Sequence, residues 1–176
     1  MPIKSQIEPV DGRDIIKTAL GRRSHRAQHL TALRGSPQIG VPLSVYLISG
    51  DKALSDDDLS KVELVGWKYP IVGGDSVGLA FLLITPSGLK FAGISHGPLP
   101  NRLLEAARLA DEHLKSLKGE FELRLLEVPA LHIYALWLCG TEGRNGFISL
   151  IDGQSPASSK LQMENNMQSL ISSGPQ

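Results

Sequence analysis

Three short stretches of this chain carry residue types and spacings that could do chemistry. Gly74-Asp75-Ser76-Val77-Gly78 matches G-x-S-x-G, the nucleophile elbow of serine hydrolases. There a strained strand-to-helix turn lifts a serine hydroxyl clear of the sheet. Asp111 and His132 follow in the chain order serine, acid, histidine. The local pattern opposes this reading. Gly78 to Ile84 reads as strand, and Pro86 comes soon after. The competing expectation is a hairpin turn that uses Gly, Asp and Ser for backbone reasons.

Ser95-His96-Gly97-Pro98 sets a hydroxyl and an imidazole between a strand and a helix start. Oriented backbone N–H groups at such a junction can hold an anion or a small ligand. Alternatively the segment only turns and caps the chain. Cys139 with His132 or His96 is a third possible constellation, a thiol nucleophile and its base. On a regular strand Cys139 and His132 fall on opposite faces, so they do not meet. A cysteine closing an apolar strand ordinarily acts as a small hydrophobe.

His25 and His29 are four apart, a spacing that shares one helix face. No further ligand completes a metal set, and Arg22, Arg23 and Arg26 nearby oppose a cation. The same arginines belong to a basic patch, Arg22 to Arg34, suited to phosphate or an acidic partner. The sequence therefore predicts no metal and no cofactor.

The elements that must position these groups follow from the hydrophobic pattern. Phe121, Leu123 and Leu125 alternate with Glu122 and Arg124, the mark of a half-exposed strand ended by Pro129. Leu131 to Cys139 is apolar on both faces, which predicts a central strand covered on both sides. Val45 to Ile48, Val62 to Val72, Val77 to Thr85 and Leu89 to Ser95 read as a meander, with Gly66 and Pro70 bending the second strand or placing it at an edge. Phe147 to Asp152 reads as the last strand. Leu99, Leu103, Ala106, Ala107, Ala110, Leu114 and Leu117 recur at helical spacing, predicting one long helix over 99–118. Short helices are expected near Asp11 to Leu20 and after Ser24.

The fold class expected is α+β: an antiparallel sheet of about six strands, one long amphipathic helix packed across it, and small N-terminal helices. Residues 1–36 read as a basic, partly helical segment, 41–152 as the core domain, and 153–176 as a polar, flexible tail. At 176 residues the chain can bury a core without staples, and its single cysteine excludes an internal disulfide. Eighteen basic residues balance eighteen acidic ones, which argues against a general nucleic-acid binder. Residues 1–40, with seven basic residues against three acids, are the exception.

The start has no apolar signal core. The longest apolar runs, such as Leu79 to Ile84, fall far short of the about 20 residues a membrane helix needs. A soluble, cytoplasmic protein is expected. Its expected function is non-catalytic binding of a protein partner through Arg22, Arg23 and Arg26. The alternatives are a small serine hydrolase using Ser76, Asp111 and His132, or an anion binder at Ser95, His96 and Gly97.

Overall fold

The computed structural model describes residues 8–24, 36–49, 56–151 and 163–164. Two α-helices, α1 (Gly12–Ser24) and α2 (Pro98–Leu114), accompany one sheet. The strands are β1 (Gln38–Ile39), β2 (Leu43–Leu47), β3 (Glu63–Gly73), β4 (Ser76–Thr85), β5 (Gly88–Ser95), β6 (Phe121–Val128), β7 (Ile133–Gly140), β8 (Asn145–Ser149) and β9 (Met163–Glu164). Their order across the sheet is β5-β4-β3-β2-β6-β7-β8-β9, with β1 also paired to β3. Every pairing is antiparallel except β2 with β6. This is the expected α+β class with a mostly antiparallel sheet.

The sheet is larger than the six strands expected. Seven strands have five residues or more, and β1 and β9 add two residues each. The extra pairs come from segments read as linker and tail, where two residues carry no periodicity to detect.

β3 is not an edge strand, and its ladder with β2 shifts beside Gly66, between the Val45–Gly66 and Tyr46–Leu64 pairs. Leu43 of β2 pairs with Lys68, and Ile39 of β1 pairs with Ile71. Pro70 falls in the gap between these two partners, where a ladder donor is not required on that side. Its carbonyl still accepts from the Gly40 N–H at 2.7 Å. Gly66 allows a close crossing, since a Cβ there would lie 2.0 Å from the Leu82 carbonyl oxygen.

α2 stops at Leu114, before the expected end. The Ser116 and Leu117 N–H groups bond to His113 and Leu114, so the last turn tightens before Gly119 takes φ 116°. Two i,i+4 pairs form along α2, Arg108 with Glu112 and Asp111 with Lys115. α1 runs through Gly21 to Ser24. The helix expected after Ser24, with His25, His29 and Arg26, lies outside the described residues.

Three apolar clusters cover the two faces. Under α2, Leu103, Ala106, Ala110 and Leu114 pack on Val45, Leu79, Leu125, Leu136 and Ile148. On the opposite face Leu126, Ala135, Trp137 and Phe147 gather beneath Leu59 and Val62. Beside them Ile16 of α1 packs on Tyr69, Ile71, Ala80 and Leu82. β7 is therefore covered on both sides, as its sequence requires: Ala135 and Leu136 point in opposite directions and are both fully buried. The face of β6 expected to meet water is not polar surface. Arg124 lies over the rings of Tyr46 and Trp137, at 4.8 and 5.0 Å.

Candidate functional site

Ser76 sits in a two-residue β-hairpin. Gly73 pairs with Ser76, and Gly74 and Asp75 make the turn. Gly74 has φ 59°, at the first turn position where a type II′ hairpin takes glycine. A strand enters and a strand leaves, so the strand-to-helix elbow of G-x-S-x-G is absent. Nor does the fold assemble the triad. β4 and β6 run in the same direction, Ser76 opens β4, and His132 follows the end of β6. The two therefore lie at opposite ends of the sheet, about a strand length of 25 Å apart. Asp111 stands on α2, paired with Lys115 at 3.2 Å.

Ser95 pairs with Leu79, which brings the Ser95-His96-Gly97 junction to the corner where β4 begins. The His96 ring lies above Gly78: a Cβ there would be 3.4 Å from His96 Cε1. Gly97 is the N-cap of α2, with φ 103° and no side-chain cap. Pro98 and Pro100 occupy two of the first three helical positions and carry no N–H. Of the first four positions, Gly97 to Pro100, whose N–H groups would be open to an anion, only Gly97 and Leu99 carry one.

Cys139 lies on the Trp137 face of β7, half buried. Burial pushes its thiol up, Arg124 pulls it back, and Glu122 adds to the rise. A reactive cysteine needs the reverse. Arg124 itself is drawn down by burial, but the Glu122 hydrogen bond and its neighbours Cys139 and Tyr46 outweigh this and hold it above its ordinary value. Trp137 completes the cluster by donating from Nε1 to Asn145 Oδ1 at 2.8 Å.

A second polar group is enclosed on the α2 side of the sheet, and no local pattern points to it. Lys68 Nζ donates to Glu127 Oε1 at 2.6 Å and to the Tyr134 hydroxyl at 2.5 Å. It also lies 4.6 Å over the Tyr134 ring and 5.1 Å over Phe81. Burial first, and Glu127 second, hold the Tyr134 phenol far above its ordinary range. The ammonium is spent on these partners and only 8% of Lys68 is exposed, so this is a closed knot.

The open site lies elsewhere, between α1 and β5. Asp11, Asp14, Ile15, Thr18, Ala19 and Arg22 present one helix side, and Leu89, Lys90 and Phe91 present the strand. Together they bound a groove of about 530 Å³. Helical spacing explains the first set and strand alternation the second. Ile15, Ala19, Leu89 and Phe91 make a half-buried apolar floor, and the charged residues stand at its rim. β5 is the last strand on this side of the sheet among the described residues. Of the arginines singled out by sequence, Arg22 lies on this groove. Arg23 belongs to α1, with its side chain outside the described set, and Arg26 lies outside the described residues.

No family model, no curated protein and no solved structure matches this chain. Among the described residues no helix is long and apolar enough to cross a membrane.

Proposed function

We propose that the protein is a non-catalytic α+β domain that binds a protein partner, and that the partner docks in the groove between α1 and β5. One observation carries this reading: an eight-residue end strand lies beside a groove with an apolar floor and a charged rim. An apolar floor takes up a partner's apolar side chains, and the charged rim around it orients the partner. Arg22 supports it further, as the member of the basic patch that stands on the groove.

The enzyme alternative, a serine hydrolase at Ser76, has less support, because a hairpin serine lacks the strained exposure of an elbow. Labelling of Ser76 by a fluorophosphonate probe would restore it. The anion-binding alternative at Ser95, His96 and Gly97 is weakened by the two prolines that remove donors.

The test places a photo-crosslinking residue at Ala19 in the full chain, with Glu105 on the exposed side of α2 as control. The expected result is an adduct specific to position 19, together with slowed amide exchange over Gly88 to Ser95 in the complex. Equal yields at both positions, or protection elsewhere, would overturn the reading.

A further inference from the structure

We infer that the partner's docking segment is an amphipathic helix that lies antiparallel to α1, acidic in its first turn and basic in its last. This rests on the proposed docking in the α1–β5 groove and adds the chemistry of the partner.

α1 presents two stripes. Ile16 and Leu20 belong to the one that packs on the sheet. Asp11, Asp14, Ile15, Thr18, Ala19 and Arg22 form the other, along the groove. These six recur at intervals of three and four, so the stripe runs about 16 Å, or three helical turns. Its length and period match the facing stripe of another helix, whose apolar side chains recur at the same interval. Half-buried Ile15 and Ala19 lie at its middle, with exposed Thr18 beside them. Alanine and threonine are small, so a second helix can approach closely there. An extended segment fits less well, because its period of two falls out of step with a three-and-four stripe.

Charge decides the direction of the incoming helix. Asp11 and Asp14 stand at the N-terminal end of the stripe and Arg22 at its C-terminal end. The Gly12 end of α1 stands over Tyr69, whose row crosses the sheet through Ala80 to Ile94. Lys90, four residues back along β5, therefore lies away from the acidic end. Among the described residues no ion pair engages Asp11 or Arg22, and Asp14 is held only by Lys17, at 3.8 Å.

A helix is stabilised by acids in its first turn and bases in its last, because of its own dipole. Laid antiparallel to α1, such a helix sets its basic end on Asp11 and Asp14 and its acidic end on Arg22. The two macrodipoles then also run in opposite directions. Laid parallel, it would set acids on acids, or would carry its charges against its own dipole.

A fluorescein-labelled peptide tests the inference against the full chain by anisotropy at low salt. It carries leucines at three-and-four spacing, glutamates in its first turn and lysines in its last. A second peptide replaces every charge by glutamine, and a third has a central proline that forbids the helix. The first is expected to bind about fivefold or more tightly than the second, with the gap closing as salt is raised, and the third is expected not to bind. Asp14→Lys and Arg22→Glu should each shrink that gap, with thermal melts showing both variants folded. A photo-crosslinker at the N-terminus of the first peptide should attach beside Arg22, and one at its C-terminus beside Asp11. No binding, no gap between the charged and glutamine peptides, a gap that survives both substitutions, equal binding of the proline peptide, or crosslinks at the opposite ends would overturn the inference. The crosslinker at Ala19 keeps the two readings apart. A specific adduct there, with any of those results, would sink the helix and leave docking in the groove standing. No specific adduct at position 19 would sink both.

Discussion

The Lys68 ammonium lies 2.6 Å from the Glu127 carboxylate, although β2 runs between their strands. Lysine at the middle of an eleven-residue strand is a poor fit to a covered sheet face unless its charge is matched. Glu127 and the Tyr134 hydroxyl match it, and the ring faces of Tyr134 and Phe81 add to this. The three side chains come from β3, β6 and β7, so they tie the first half of the sheet to the second.

This knot gives the first expectation. Lys68→Met should destabilise the fold by about 2–4 kcal/mol, because it leaves a carboxylate without its cation. The lower end applies since the Glu127 side chain keeps 23% exposure. Lys68→Met with Glu127→Leu should recover much of the loss. Urea unfolding of the three variants gives the coupling, and additive effects would show that the pair does not act as a unit.

Alkali supplies the second. Burial, with the charge of Glu8, pushes the Tyr69 phenol up to about 12. Tyr134 is raised further by burial and Glu127. A phenol whose folded pKa exceeds its unfolded value near 10 favours the fold while both states hold the proton. Above pH 10 the unfolded chain releases it first, so stability falls from about pH 10 toward 12, by up to about 1.4 kcal/mol per pH unit for each phenol. Tyr69→Phe should flatten that decline in denaturant midpoints measured across the window. An unchanged slope would show that Tyr69 is not the titrating group.

Third, Arg124 should matter more than a surface arginine. Its guanidinium lies between two aromatic rings and reaches Glu122 at 2.8 Å. Arg124→Ala should cost about 1–2 kcal/mol, outside the surface range of about ±0.5 kcal/mol. Thermal melts compare it with Lys115→Ala at the C-cap of α2, which should stay inside that range.

Cys139 gives the fourth. A thiol raised by burial should alkylate slowly at neutral pH. Iodoacetamide should label the native chain at least about tenfold more slowly than the chain in urea. Comparable rates would return Cys139 to the candidate nucleophiles.

Coverage of β7 gives the last. Ala135→Lys and Leu136→Lys should each abolish cooperative folding, read by near-ultraviolet circular dichroism, because both side chains are fully buried on opposite faces. If Leu136→Lys folds, α2 does not cover its side of the sheet as tightly as Leu136 requires.

Much of the fold was legible because it depends on local periodicity. The mostly apolar stretch Leu131 to Cys139 determined a strand with two dry faces, and the three-and-four spacing from Leu99 onward determined a helix with one. Gly73 to Ser76 determined a hairpin, and with it the weakness of a G-x-S-x-G reading. Turn chemistry and side-chain period act within a few residues, so neighbouring letters suffice.

What the sequence could not determine involved pairing between distant segments. Pro70 reads as the mark of a bent or edge strand until β1 and β2 are seen to share β3 on either side of it. Arg124 reads as solvent-facing until Tyr46 of β2 and Trp137 of β7 enclose it. Lys68 and Glu127 are 59 positions apart, and no local pattern predicts their contact. The groove has the same origin. α1 and β5 each look unremarkable alone, and sheet order leaves β5 at the edge with α1 beside it. Strand order is fixed by which long loops close and which faces must be buried together. Those are properties of the whole chain, so the candidate binding site appears only when it has folded.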